Sequence, residues 1–322
     1  MLELYECPPE MTNIIEDVYC SEPRQNGRRK RDVKKVKYEE MFPHEIEEIM
    51  HETPIAYLAL GTLEWHGLHL ALGNDAIKAY ELCLRIATKT GGIVVPPTFW
   101  AIGGMPQPWT TRFTEELIGQ LFYGIFEQLS HVGFKVIVAV TGHYGHEQVL
   151  TLKQEALKFM LRSNTVIFPI AEYEVTADKG YRGDHAAKWE TSILWYLRPE
   201  LVDINRLPKT EKILNVYDHG IMGEDPRANA SQELGKEIVT TIVNRLAETS
   251  LRLLKNTSQF QRSMYITALS RQVQILNKNI LAKLRKEGDE AKLETYYQFL
   301  DLVWKGNYIE ATKTADALLA EE

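Results

Sequence analysis

At 322 residues, with 44% hydrophobic and 25% charged side chains, the chain can bury a substantial core without disulfides, as one large α/β domain with appendages or as two modest domains. A net charge of −7 argues against a general nucleic-acid binder, because neutralising phosphates takes a basic surface. Three cysteines with neither CxxC spacing nor scaffold density, an acidic N-terminus and no run near the ~18 apolar residues of a membrane span lead to the expectation of a cytoplasmic protein with no membrane partner.

Residues 1–37 differ in texture from the rest and end in a basic run, Arg24 to Lys37. Its flanks are acidic and no aromatic residue is interleaved, so a solvated or subunit-packing arm is favoured over an anion-binding patch. Tyr38–Met50 has the spacing of a short surface helix, and Pro54–Leu60 is a nearly continuous apolar run, as a buried parallel strand requires. Residues 74–90 carry Ile77, Leu82 and Ile86 at helical spacing, and Gly92–Pro96 reads as a second strand. A Gly/Pro/Trp-rich loop spans 97–112. Glu115–Val132 reads as an amphipathic helix, Lys135–Val140 as strand, Gln148–Ser163 as helix and Thr165–Ile170 as strand. Helices are expected over 190–197 and 232–254, and residues 257–322 are wholly helical in texture. Strands alternating with crossover helices imply a three-layer α/β/α fold on a mostly parallel sheet, here with a C-terminal helical extension. The expected division is therefore an arm (1–37), an α/β domain (38–255) and a helical tail (256–322).

In open α/β sheets, ligands bind beyond the carboxyl ends of the strands. Three predicted strands are followed by imidazoles and carboxylates. After the first come Glu64, His66, His69 and Asp75; after the third, His143 and His146; after the fourth, Glu172, Glu174, Asp184, His185 and Glu190. Glu64 and His66, two apart in an extended segment, point to one side and carry donors suited to zinc, manganese or iron. Each feature also has a plain reading: a polar loop for Glu64 and His66, a helix cap for Asp75, a turn histidine for His143 and a first-turn glutamate for Glu190. A helix start just after His143 would disfavour its protonated form and keep the ring able to ligate. His185 stands where it could transfer a proton.

Taken together, these motifs resemble the creatininase (creatinine amidohydrolase-like) family. The family's G-[ST]-x-E-x-H-G-x-H-L, followed by Asp, is similar to Gly61–Leu70 with Asp75. Its N-G-H-x-x-N is similar to Thr141–His146, and its G-D-x-H-A-G-x-x-E-T-S to Gly183–Ser192; the likeness runs from about 38 to 255. The resemblance implies a divalent metal cofactor, two ions, with Zn foremost and Mn or Fe as alternatives. Glu64, His66, Asp75, His143 and Glu190 match its metal ligands, with Asp75 as the bridge, and His185 and Glu190 match its catalytic groups. The implied activity is hydrolysis of a cyclic amide or related C–N bond of a small molecule, in a homo-oligomer that is often hexameric. His146, Trp109, Tyr173 and Tyr181 are expected around the substrate. In creatininase itself the turn after the metal-binding histidine carries a glutamate ligand where this chain has Gly145, and the family's closing Asn is His146 here. The alternative expectation is a catalytically lapsed protein of this fold that binds a metabolite or a partner.

Overall fold

The computed structural model describes residues 35–209, 212–256 and 258–320. Cys7, Cys20 and the basic run up to residue 34 lie outside the described residues. Lys37 forms a parallel bridge with Val94, and Val94 N donates to the Val36 carbonyl at 2.6 Å.

The expected helix over Tyr38–Met50 is divided in two. Tyr38–Glu40 form a 3-10 turn, and helix α1 runs Pro43–Glu52. Proline is the reason: it has no N–H to give, so it suits a helix start, and it pushes the preceding residue into extended conformation. Phe42 accordingly has φ −85° and ψ 156°.

Four strands, β1 (Ile55–Leu60), β2 (Ile93–Thr98), β3 (Val136–Thr141) and β4 (Val166–Ala171), form one parallel sheet in the order β2-β1-β3-β4. Every residue of β1 and β3 is buried, which is why both read as unbroken apolar runs rather than alternating ones. The crossover helices are α2 (Asn74–Thr90) after β1, α3 (Glu115–Val132) after β2 and α4 (His146–Met160) after β3. Helices α5 (Lys188–Leu197) and α6 (Gln232–Lys255) pack on each other and on α2, while α3 packs on α4. The sheet is thus covered on both faces.

The strand order places the central pair, β1 and β3, at the point where the chain's direction of travel across the sheet reverses. A crevice opens there beyond the strand ends. The N-terminus of α2 is seated in it: a Cβ at Gly61 would lie 2.2 Å from Ala76 N, so only glycine lets the helix begin this close to the end of β1.

The C-terminal extension is helical, as expected: α7 (Gln259–Asn277), α8 (Ile280–Glu287), α9 (Glu290–Lys305) and α10 (Tyr308–Ala320). Its apolar residues Tyr265, Phe299 and Leu300 belong to the same buried cluster as the sheet. Tyr265 Oη donates to the Ile167 carbonyl at 2.9 Å, and Gln272 Nε2 donates to Glu174 Oε1 at 2.8 Å. The extension therefore packs directly on the sheet's outermost strand and on the turn that follows it. No helix among the described residues is long and apolar enough to cross a membrane.

Candidate metal centre

At the crevice, four chain segments deliver five donors. Glu64 and His66 come from the extended segment after β1, Asp75 from the second position of α2, His143 from the turn between β3 and α4, and Glu190 from the first turn of α5. All five are buried. Asp75 stands in the middle. Its Oδ2 is 3.2 Å from His143 Nδ1, which is 2.9 Å from Glu64 Oε2. Its Oδ1 is 2.9 Å from His66 Nε2, which is 3.5 Å from Glu190 Oε2. Two three-residue donor sets follow, Glu64/Asp75/His143 and His66/Asp75/Glu190, with donor atoms in each within 4.8 Å of one another. Glu64, His66 and His185 form a third such set.

The backbone fixes which nitrogen each imidazole presents. A carbonyl oxygen only accepts, so the ring nitrogen beside it must carry the proton. His66 Nδ1 donates to the Glu64 carbonyl at 3.0 Å, and His143 Nε2 to the Ile102 carbonyl at 3.0 Å. Each ring therefore turns its other nitrogen toward the carboxylates, the arrangement that orients a ligating histidine. Glu64 Oε2, His66 Nε2 and Asp75 Oδ2 are buried and have no hydrogen-bond partner, although they lie about 3 Å from oppositely polarised atoms. Buried nitrogen and oxygen donors gathered in sets around a shared Asp75 fit a cation, which would satisfy the atoms of a set together. The mixed nitrogen and oxygen set suits Zn²⁺, Mn²⁺ or Fe²⁺.

Electrostatics agree with that fit. Burial works against charge on His66, yet Asp75 and Glu190 outweigh it and lift its pKa to about 10. Burial opposes charge on His143 too, and the carboxylates of Asp75 and Glu64, which accept from its Nδ1 once that nitrogen is protonated, raise it to about 10. The carboxylates beside His143 thus override the helix start that was expected to keep this ring neutral. Burial would raise Asp75, but His66 and His143 hold it well below the usual range. Protonated, the two imidazoles balance the buried carboxylates they face.

Glu64 is fixed from the far side, its Oε1 accepting from Met105 N at 2.6 Å. Glu190 is held at both oxygens: Oε2 accepts from Ala186 N at 2.7 Å, and Oε1 from Lys78 Nζ at 2.6 Å. Lys78 and Tyr144 were not singled out by sequence reasoning, and Glu172 was noted only as a carboxylate following the fourth strand. Lys78 Nζ lies 2.9 Å from Glu172 Oε1 and 2.6 Å from Tyr144 Oη, which donates to Glu172 and pairs with Tyr181 Oη at 2.5 Å. The available signal was a lysine three residues after Asp75, in the middle of the helix's buried face with Ala79, Leu82, Cys83 and Ile86. Ile77, read as part of that face, is only half-buried.

A cavity of about 330 Å³ opens onto the donors and is lined also by His146, His185, Gly145 and Met222. His185 lies against His66 with ring centroids 4.3 Å apart and the planes tilted by 30°, and its Nε2 donates to the Trp65 carbonyl at 3.0 Å, leaving Nδ1 as the basic nitrogen. Burial and the neighbouring His66 lower its pKa. Burial, reinforced by Glu190, lifts Asp184, whose carboxylate accepts from Trp189 N and Glu190 N at the start of α5, to about 7. The aromatic residues expected around the substrate are placed elsewhere: Trp109 is 77% exposed on its loop and does not line the cavity, while Tyr173 and Tyr181 pack behind Tyr144.

The family model described as creatinine amidohydrolase matches residues 39–250, about two-thirds of the chain, and the chain belongs to the creatininase family. It is 23% identical over 176 residues to a creatinine amidohydrolase of Pseudomonas putida, an alignment covering 48% of this chain and 68% of that one. Among solved structures, a creatinine amidohydrolase (creatininase) superposes with a TM-score of 0.57 at 21% identity, covering 67% of this chain and 96% of the other. A manganese form of creatininase gives 0.55 at 22% identity, over 67% and 97%. A Zn–Zn form of a creatininase variant gives 0.56 at 21%, over 67% and 96%. At these identities the superpositions bear on the fold.

Proposed function

We propose that this member of the creatininase family is a metal-dependent amidohydrolase, cleaving a cyclic amide or related C–N bond of a small molecule with two divalent ions. Glu64, Asp75 and His143 would hold one ion; His66, Asp75 and Glu190 would hold the other, with Asp75 shared. The observation that carries the reading is a pair of buried donor sets, Glu64/Asp75/His143 and His66/Asp75/Glu190, that share Asp75 and whose donor atoms within each set lie within 4.8 Å of one another. Zinc is the foremost candidate, with manganese or iron as alternatives; the related structures include zinc and manganese forms.

Bound ions would supply Lewis acidity, polarising a carbonyl and making water a stronger nucleophile at neutral pH. The protein's own part is orientation and proton movement. His185, its Nε2 proton committed to the Trp65 carbonyl, would take up at Nδ1 the proton that the attacking water gives up and deliver it to the departing nitrogen as the C–N bond breaks. Burial and the neighbouring His66 lower its pKa, which leaves Nδ1 unprotonated while it waits. His146 lines the same cavity and is placed to contact a polar substrate group. Gly145 presents no side chain where creatininase itself carries a glutamate, which leaves that wall open. A cavity of about 330 Å³ suits a small ring rather than a polymer. The family resemblance extends the proposal to a homo-oligomer, a hexamer, and the cysteine usage and acidic N-terminus to a cytoplasmic one; such an assembly would cover the exposed Ile213, Tyr217 and Trp109.

Hydrolysis of a panel of lactams, cyclic ureides and open-chain amides should be followed before chelation, after it, and after readdition of Zn²⁺ or Mn²⁺. Activity that is lost and then restored supports the proposal. Saturable binding of panel members without turnover, metal present, would favour a lapsed enzyme that keeps only the pocket.

A further inference from the structure

We propose that Lys78 is a positioning residue for the second metal position, holding Glu190 so that it offers one oxygen, Oε2, to the ion shared with His66 and Asp75. The proposal rests on the two-ion reading above. The observations are geometric. Lys78 follows Asp75 by three residues on α2, so one helical face delivers both the shared carboxylate and the ammonium. Lys78 is fully buried and its ammonium has three partners, Glu190 Oε1 at 2.6 Å, Glu172 Oε1 at 2.9 Å and Tyr144 Oη at 2.6 Å. Three donors meet three acceptors, so the ammonium has no freedom to turn elsewhere.

Glu190 is thereby divided between two tasks. Oε1 is taken by Lys78, while Oε2 is steadied by Ala186 N and lies 3.5 Å from His66 Nε2. Both oxygens being pinned, the carboxylate cannot swing round to present both to an ion. Without the ammonium, Oε1 would be a buried charge with no partner, free to rotate toward the ion or away from it. Among the described residues the hydrogen bonds and ion pairs of Lys78 reach Glu190, Glu172 and Tyr144, and it acts on the shared Asp75 through its charge alone, so its direct hold is on the second of two adjacent positions. Glu172, Tyr144 and Tyr181 hold the lysine from behind: Tyr144 donates to Glu172 and accepts from both Lys78 and Tyr181.

The test is calorimetric titration of the chelator-stripped full chain with Zn²⁺, comparing wild type with Lys78→Met. Loss of a group that orients a ligand typically costs about 10- to 100-fold in metal affinity. The expected result is a loss of at least about ten-fold at the second position, with the first changed by less than about two-fold. A fold-stabilising ion pair with no positioning role would lower the melting temperature and leave both constants alone. Wild type and variant binding two ions with equal constants, or the variant losing both positions equally, would overturn the inference. A wild type that binds fewer than two ions would instead sink the two-ion reading on which it rests. Should Lys78→Met not fold, a metal-loaded structure of the wild-type chain decides: Glu190 must bind through Oε2 alone with Lys78 still on Oε1. A bidentate Glu190 or a displaced Lys78 would contradict it.

Discussion

Gly142 and Asp75 approach so closely that a Cβ on the glycine would lie 2.2 Å from the Asp75 carbonyl oxygen. The turn leaving β3 thus rests directly on the first turn of α2. The backbone that carries Asp75 is gripped on one side by Gly61, at the end of β1, and on the other by Gly142. Position, rather than any unusual dihedral, is what these two glycines supply.

Gly142→Ala should therefore displace α2 and Asp75 together. Overpacking of a filled site costs about 1–3 kcal/mol, and here the obstacle is backbone, which cannot step aside. A lower melting temperature and a loss of bound metal should appear together, by thermal unfolding and elemental analysis. A variant as stable and as metal-rich as wild type would mean the turn can relax.

Asp75→Asn keeps the shape and removes the charge that both donor sets share. Affinity should fall by at least about ten-fold at both positions, as expected for loss of a ligand common to two ions. Glu64→Gln should weaken the first position alone. Titration with Zn²⁺ distinguishes them; equal effects from the two substitutions would argue against Asp75 as the bridge.

The metal-free protein should lose stability as pH rises. His66 and His143 have pKa values raised to about 10 in the fold, against about 6.5 for an ordinary histidine. Their charge–carboxylate contacts contribute fully below pH 6.5 and are lost as pH climbs through 10, because the native state then holds protons the unfolded chain has already released. The metal-loaded protein uses neutral rings and carries no such slope from these groups. Between pH 7 and 9.5 the gap in melting temperature between loaded and stripped protein should widen, as calorimetry would record. A gap that narrows would contradict the assigned charge states.

Truncation after Lys255 should not leave a working core. It removes Tyr265, Phe299 and Leu300 from the buried cluster and strips Glu174 of Gln272, exposing apolar surface along β4 and α4. The truncate is expected to be insoluble or to unfold without a cooperative transition. Wild-type melting and metal content in the truncate would show the extension to be dispensable.

The layered fold was legible because β1 and β3 are buried on both faces, so their sequences contain nothing but apolar residues up to Thr141. The donors Glu64, His66, Asp75, His143 and Glu190 were visible because each follows a strand or opens a helix. The break at Phe42–Pro43 blurred one helix boundary. Lys78 was hidden because a lone lysine in a helix ordinarily marks solvent; only the fold brings Glu172 and Glu190, 94 and 112 residues further on, against it. Trp109, Tyr173 and Tyr181 were placed at the pocket on aromatic character alone, which says nothing about direction.

The central claim is a two-ion centre on a shared Asp75, and its most direct test is elemental analysis of the purified full chain beside Glu64→Ala. Two divalent ions per chain are expected in wild type, zinc foremost, with a clear deficit in the variant and hydrolytic activity that falls with it. Wild-type protein that takes up no divalent metal when supplied with Zn²⁺ or Mn²⁺, or a Glu64→Ala variant indistinguishable from it, would contradict the account.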